Sequence, residues 1–579
     1  MHIKIKQWLN NALEVLQTKK VLSTVMDAEV QLTRESSHGD YSSNIALMLA
    51  ASAKLSPLDL AEKIVTELPP SDLIAKVETA GPGFINFYLK EKAYSEVMVE
   101  IVRLGAQYGC APAASRGRAL LEFVSANPTG PLHIGHGRSA AFGVALANIL
   151  TASGYKVERE YYVNDCGRQM EVLALSVWLR YLELCGLEVT FPAKAYHGDY
   201  IWDMAAELHR QQGQRFHVAD WHPSTPAQQD DDALERHLDY LVERMKLLLG
   251  TMLYTSIYAD ALNMMMKSIK NELKLFGTIY DNWFHESSLL ADRRISDVIK
   301  QLEASGTLYE KDDAHWFRST KYYDEKDRVL VRSNHQTTYF AADIAYHLDK
   351  YKRGYDLIVN IWGADHHGYV ARLRSAMAAL GLDVDRLHII LVQFVNLYKG
   401  DQKIAMSTRG GQFVPLSEIR KQIGGNAMHL YYMMRKHTQH IDFDVELMKS
   451  QSNDNPIYYL QYAHARICSV FKQMEKQGYS YSIHTIEPHL LDKAEERALM
   501  KLLIRYSSVL SSAADAREPQ ILLEYLRLLA TEFHGYYNHY RFLVDDEALR
   551  NSRLVLVAAV RCLLFNGLTM LGASAPEQM

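Results

Sequence analysis

The sequence predicts an α/β plus all-α protein: a small α/β N-terminal domain, a split Rossmann-like domain and a helical C-terminal domain. Three observations predict it. Two strand–helix–strand patterns, at 118–163 and 356–395, flank a long, mainly helical insertion of about 170–315. A small-residue linker, APAASRGR, closes the first 112 residues. From Gln412 onward the apolar spacing is helical throughout. The expected domains are therefore 1–112, 113–411 and 412–579.

Composition narrows the class. The 579 residues are 48% hydrophobic and 23% charged, which is ordinary for a globular chain and sufficient for three or four domains. A net charge of −5 excludes a globally basic nucleic-acid binder. From Asn455 to the end, 13 Lys/Arg balance 13 Asp/Glu, so any RNA surface is a local patch. Cys110, Cys166, Cys185, Cys468 and Cys562 lack CxxC spacing, which argues against a zinc site or a disulfide framework and for the cytoplasm. The start, MHIKIKQWLNNALEVL, lacks the apolar core of a signal peptide. Leu554 to Ala575 is apolar, but Arg561 inside it would cost ~2.5–3.5 kcal/mol in a bilayer, so it reads as a core helix and no membrane is expected.

The elements follow in order. HGDYSSNIALMLA (His38 to Ala50) reads as a turn into a helix, and AGPGFINFYL (Ala80 to Leu89) as a Gly-Pro turn into a strand. Leu120 to Val124 is a buried strand; a helix runs from the following loop to about Ser153 and stops at Gly154. Lys156 to Val163 alternates as a second strand. Within the insertion, Gln211 to Gln229 is polar, and Asp230 to Asp232 read as the solvated start of a helix. Asp356 to Trp362 is a strand, GADHHG turns into a helix ending near Gly381, and His388 to Val395 is the next strand. Such units imply parallel strands with a ligand site at their carboxyl ends.

The loop SANPTGPLHIGHGR (Ser125 to Arg138) sits at that end. His133 and His136 are three apart at a helix N-terminus, beside free backbone N–H groups and the positive dipole end. This arrangement suits a nucleotide triphosphate. Asp365, in Gly363-Ala364-Asp365 at a strand end, fits ribose recognition, because its carboxylate accepts both hydroxyls. His366 and His367 point to different faces and read as structural. Tyr339 and Asp343 share one helix face; alone they would read as core plus cap, as Glu122 and Asn127 would read as loop hydrogen bonding.

The loop resembles the HIGH signature of class I aminoacyl-tRNA synthetases. With Glu122, Phe123, Ser125, Asn127, Pro128, Thr129, Gly130 and Pro131 it is similar to the arginyl-tRNA synthetases of bacterial type. The two N-terminal strings resemble that family's additional domain, which contacts the tRNA elbow. WFRSTKYYDEKDRVLVRS (Trp316 to Ser333) resembles a further family stretch. KIAMSTRGGQFVPL (Lys403 to Leu416) resembles the mobile KMSKS loop, with Ala405 and Thr408 in place of its lysines. VDDEALRNSRLVL (Val544 to Leu556) resembles the DALR signature of the helical anticodon-binding domain, whose first helix matches at Tyr458, Tyr459, Gln461, Tyr462, Ala463, His464 and Arg466.

The resemblance implies an arginine–tRNA ligase with a catalytic domain at 113–411. Its substrates would be ATP, brought in with Mg²⁺ and no dedicated protein metal site, L-arginine and tRNA(Arg). It implies catalytic roles for His133, His136, Arg409 and Lys403, and ATP contacts at Gly135, Gly363, Asp365, Met406 and Ser407. Glu122, Ser125, Asn127, Tyr339 and Asp343 would hold arginine, the last two at the guanidinium. A glutamine that some members carry before Asp-x-His is missing, since Gly363 and Ala364 stand there. Tyr458, Tyr462, Arg466, Tyr536 and Tyr540 would meet tRNA, although Tyr536 and Tyr540 suit a core as well as base stacking. A monomer is expected. Two other readings are weighed: a nucleotidyl transferase, which the helical C-terminal domain disfavours, and a tRNA-binding paralogue impaired in catalysis, which the absent lysines would suggest.

Overall fold

The computed structural model describes residues 1–33, 36–219, 221, 230–399, 402–404, 414–450, 452 and 455–579. They form two compact units, Met1–Pro112 with Gln451–Met579, and Ala113–Ser450.

The first part of the first unit runs α1 (His2–Thr18), β1 (Gln31–Leu32), β2 (Tyr41–Ser43), α2 (Ile45–Ala53), α3 (Pro57–Glu67), β3 (Ile74–Ala80), β4 (Phe84–Leu89) and α4 (Glu91–Leu104). Its antiparallel sheet has the order β1-β2-β4-β3. The two N-terminal strings meet here, with Tyr41 opposite Phe87. Gly39 has φ 82°, and a Cβ there would lie 2.6 Å from the Phe87 carbonyl oxygen, so only glycine fits the corner. Asp40 closes it, accepting from the Leu89 N–H at 2.9 Å and the Tyr94 hydroxyl at 2.7 Å.

The second unit opens with β5 (Arg118–Glu122), α5 (Ile134–Ala152), β6 (Lys156–Val163), α6 (Arg168–Leu184), α7 (Asp199–Gln212), α8 (Asp231–Leu275) and β7 (Asn282–His285). Next come α9 (Ser287–Ala291), α10 (Arg294–Ala304), β8 (Leu308–Lys311), β9 (Ala314–Phe317), β10 (Arg328–Val331), α11 (Tyr339–Lys352), β11 (Leu357–Gly363), α12 (His367–Ala379) and β12 (Leu387–Val392). It ends with β13 (Val395–Lys399), β14 (Gln402–Ile404), α13 (Leu416–Ile423), α14 (Gly425–Tyr432), β15 (Ile441–Asp444) and α15 (Val445–Lys449).

Five parallel strands in the order β12-β11-β5-β6-β7 make the central sheet. Both strand–helix–strand units lie in it, joined by the β11–β5 ladder. Ala119, Leu120 and Leu121 are fully buried, as a strand covered on both faces requires. The insertion supplies α6, α7 and α8, the last broken at Gly250, and returns β7 to the sheet edge. Asp230 caps α8 by accepting from the Ala233 N–H at 2.8 Å, and exposed Asp231 pairs with Lys194 at 2.8 Å, which is a solvated helix start.

The second unit departs from the sequence reading in two places. The expected strand at 388–395 is two strands, because Gln393 leaves the ladder. Its N–H donates to the His437 carbonyl at 2.8 Å, and β13 enters a separate sheet of order β14-β13-β15. The expected boundary after 411 also differs, since the compact unit runs to Ser450. The reason is Arg138 on α5, only 1% exposed. Its guanidinium donates to the carbonyls of Gln393 (2.8 Å), Gln439 (2.8 Å) and Lys436 (2.9 Å), so the later segment is fastened to α5.

The rest of the first unit is α16 (Pro456–Lys476), α17 (Ala494–Ala516), α18 (Gln520–His539) and α19 (Glu547–Met570). Asn455 caps α16, with Pro456 at its first position. By length and composition α19 could cross a membrane, but 78% of its apolar window is buried among the other helices. It also holds α4: the Cys562 thiol lies 3.6 Å from the Ile101 carbonyl, and the Asn566 amide donates to the Gly105 carbonyl at 3.0 Å.

Candidate active site

β5 ends at Glu122, and the chain then turns through two left-handed residues, Val124 (φ 69°) and Ser125 (φ 41°). Non-glycine residues hold such angles at a cost of about 1–3 kcal/mol each, and hydrogen bonds must fix them. The Ser125 hydroxyl donates to Glu122 Oε1 at 3.0 Å and accepts from the Tyr162 N–H at 3.1 Å. The Tyr161 hydroxyl donates to the Ala126 carbonyl and that of Tyr200 to the Thr129 carbonyl, both at 2.8 Å. This frame aims the loop into α5.

His133 caps α5, its Nδ1 accepting from the Gly135 N–H at 3.1 Å. His136 Nδ1 accepts from the His133 N–H at 3.2 Å, and the rings stack at 3.7 Å. With each Nδ1 acting as acceptor, the proton sits on Nε2, so both rings present an N–H donor. Burial lowers both imidazole pKa values, which keeps the pair neutral. The first turn is packed hard: a Cβ on Gly137 would lie 2.7 Å from Leu416 and 2.8 Å from the Tyr432 hydroxyl. That hydroxyl donates to the Ile134 carbonyl at 2.8 Å.

Beside this loop is a cavity of about 290 Å³. It brings together Glu122, Ser125 and Asn127 from the loop, Tyr339 and Asp343 from α11, and Gly363 from β11. Sequence reasoning did not single out Glu286, Tyr162, Asn164, Trp362 or Tyr369, which also line it. His366, read as structural, lines it too. Glu286 follows β7 and is 8% exposed. Placed to satisfy its neighbours, the Asn164 amide donates to Glu286 Oε2 and to the Cys166 carbonyl, both at 2.9 Å.

Three carboxyl groups thus face one small cavity. Among the described residues, only Glu122 of the three is ion-paired, with the buried ammonium of Lys350. Burial, and then the charges of Glu286 and Glu122, push the Asp343 carboxyl up to about 7, against the pull of Lys350. Burial likewise raises Glu286, aided by nearby Asp165 and opposed by a hydrogen bond from Tyr162. Burial thus disfavours the ionised forms of both acids, and a cation rich in N–H donors would stabilise them. Tyr339, 60% exposed, stands at the mouth.

Other expected residues lie elsewhere. Gly135 is in the first turn of α5, and Asp365 follows β11, with His366 Nε2 3.5 Å from its carboxylate. Neither they nor His133 and His136 line the cavity, but their loops leave the carboxyl ends of the neighbouring strands β5 and β11. Met406, Ser407 and Arg409 lie outside the described residues; Lys403 is described only as backbone in β14, opposite Tyr398. Among the described residues, no group of three His, Cys, Asp or Glu is placed to hold a metal ion.

In the first unit, Tyr458 stacks on Tyr462 at 5.4 Å. The Arg466 guanidinium lies 4.5 Å from the Tyr462 ring centre and 4.6 Å from that of Tyr537. This half-exposed ladder can take stacked bases. Tyr536 cannot: it is wholly buried and donates to Glu496 at 2.7 Å, a carboxylate that also accepts from Arg553 at 2.9 Å. Its expected contact with RNA is therefore corrected to a core role. Tyr540, at the end of α18, stays partly exposed.

Comparison with known proteins agrees in three places along the chain. Residues 3–89 match the arginyl tRNA synthetase N-terminal domain, residues 99–185 the class I (R) tRNA synthetase catalytic domain, and residues 460–579 the DALR anticodon binding domain. The chain is 47% identical over 588 residues to the arginine–tRNA ligase of Thioalkalivibrio sulfidiphilus, covering 100% of both. It is 51% identical over 558 residues to that of Halorhodospira halophila, covering 96% of this chain and 95% of that one. The fold is similar to the Thermus thermophilus arginyl-tRNA synthetase, with a TM-score of 0.75 at 22% identity and all of both chains covered.

Proposed function

The chain belongs to the arginyl-tRNA synthetases, and from that premise we propose how its site carries out arginine–tRNA ligation. ATP and L-arginine react first: a carboxylate oxygen of arginine attacks the α-phosphorus, the bond to the bridging oxygen breaks, and diphosphate leaves. The 2′-hydroxyl of the terminal adenosine of tRNA(Arg) then attacks the arginyl carbonyl, and AMP leaves. Catalysis is positioning plus stabilisation of charge at the α-phosphate.

The cavity is the arginine pocket. Asp343 and Glu286 receive the guanidinium, whose fork of N–H donors matches carboxylates, and Tyr339 covers it. Glu122, Ser125 and Asn127 face the amino-acid head, and His366, just beyond β11, completes that wall of the cavity. The Nε2–H donors of His133 and His136 hold phosphate oxygens, with Gly135 allowing close approach. Asp365 takes the ribose and Gly363 lies under the nucleotide. Met406, Ser407, Arg409 and Lys403 contact the phosphates of ATP. Mg²⁺ enters as part of the ATP complex.

Residues 1–112 meet the tRNA elbow, and the Tyr458–Tyr462–Arg466 ladder and Tyr540 meet the anticodon loop. We further infer a monomer working in the cytoplasm, where the five free thiols stay reduced. The observation that carries the reading is the pair of cation-deprived carboxyls in one cavity. The test is charging of total tRNA with each amino acid in turn. Charging with arginine alone is expected; no charging would revive the impaired paralogue, and another amino acid would overturn the pocket.

A further inference from the structure

We propose that Lys350 is a positioning residue for arginine, holding the two walls of the pocket in register and fixing its net charge. The proposal rests on the reading of the cavity as the arginine pocket. Lys350 lies on α11, two turns beyond Asp343, with a wholly buried side chain. It lines no part of the cavity itself. Its ammonium reaches Glu122 at the end of β5 and donates to Asn360 Oδ1 on β11 at 2.8 Å. The remaining N–H faces the ring of Tyr346, whose centre is 4.2 Å away.

From there the hydrogen bonds run in one sense. The Asn360 amide donates to His347 Nε2 at 2.5 Å, and His347 Nδ1 donates to the Asp343 carbonyl at 2.7 Å. The backbone carbonyl can only accept, so the proton is on Nδ1 and the ring is neutral, as its depressed pKa also requires. On the other side, Glu122 accepts from Ser125, whose oxygen accepts from the Tyr162 N–H. One ammonium therefore ties the β5 wall to the α11 wall.

The charges around it decide what it does. Glu122, Asp343 and Glu286 face the cavity, and Glu160 on β6 is already forked by Arg353 at 2.6 and 2.9 Å. Lys350 thus answers Glu122 and leaves Asp343 and Glu286 for the substrate. A buried ion pair is often no more stabilising than a hydrophobic replacement of equal volume, so packing alone does not call for a lysine here. Without it, a buried carboxylate stands unpaired beside two others, and the pocket takes up a proton where it should meet a guanidinium.

The test compares wild type, Lys350→Met and Lys350→Gln, the last retaining an amide donor, with folding checked by thermal unfolding. KM and kcat are measured for arginine, ATP and tRNA, and kcat/KM for arginine is followed against pH. The expected result is an arginine KM raised roughly 10²-fold, with ATP and tRNA KM within about threefold, because the residue acts through the amino-acid pocket. The acid limb of the pH profile should move to higher pH, a shift that loosened packing would not give. A folded variant with wild-type arginine KM and an unmoved limb overturns the proposal. So does an equal loss for all three substrates, or failure of both variants to fold, since either makes Lys350 a support of the fold. Wild-type charging with an amino acid other than arginine overturns the pocket assignment instead.

Discussion

At the scale of single residues, Asp343 carries the largest consequence. Its carboxyl is pushed up to about 7, above the ordinary carboxylate range near 3.9, so the folded, empty site binds a proton that the unfolded chain has released. Its contribution to stability is therefore full below about pH 4 and is lost as pH rises through about 7, the opposite of a salt-bridged aspartate. On the proposed reading of the pocket, arginine would reverse the effect, because the guanidinium needs the ionised form. We expect kcat/KM for arginine to rise with pH up to about 7 and then level off. Asp343→Asn should abolish that limb, raise the thermal midpoint of the empty enzyme at pH 8, and lower kcat/KM for arginine by ~3–5 kcal/mol. Steady-state kinetics and calorimetry check all three, and unchanged kinetics would reduce Asp343 to scaffold. Neutral citrulline should be refused by the intact site. Most of this pocket was legible in the sequence: Glu122, Ser125, Asn127, Tyr339 and Asp343 do meet in one cavity. Glu286 was not, because it acquires its place only when β7 returns to the sheet beside β6 after the long insertion. A lone Glu after a short strand has no local signature.

At the scale of segments, residues 403–411 and the helix pair α16–α18 carry separate expectations. Charge must develop near the α-phosphate, and the usual lysines are absent at Ala405 and Thr408. Arg409→Ala should slow adenylate formation by roughly 10²–10³-fold with little change in arginine affinity, measured in single turnovers with tRNA present. If Arg409→Ala and Lys403→Ala both kept wild-type rates, the two histidines and Mg²⁺ would have to suffice. In the helices, Tyr462→Ala should raise the KM for tRNA while sparing arginine and ATP. Tyr536→Phe should leave charging intact and cost about 1.5–3 kcal/mol in stability, the value of a hydrogen bond to a charged group. The reverse pattern would restore Tyr536 to the RNA surface. Periodicity could not separate these tyrosines, since both sit on helices rich in apolar residues. It also ran β12 into β13, because nothing in HIILVQFV shows that Gln393 bonds across to His437.

For the whole molecule, the family resemblance implies that tRNA completes the site. Arginine-dependent pyrophosphate exchange should be negligible in RNA-free enzyme and appear when tRNA(Arg) is added; robust exchange without RNA would refute this. The fold class and the order of the parts were legible because the nucleotide-binding units and the final helices have strong periodicities. The compact units were less so. Arg138 joins segments some 300 residues apart, and sequence spacing gives no sign of such a contact.

The clasp between α4 and α19 bears on how the chain is made. Ile101 and Gly105 find their partners 461 residues later, in Cys562 and Asn566. At a synthesis rate of about 5–20 residues per second, that gap is roughly 20–90 s. During that time residues 113–450 can finish their own sheet, while the N-terminal part waits with the face of α4 uncovered. A segment made early is thus completed late, and until α19 arrives the apolar face of α4 stays open to solvent.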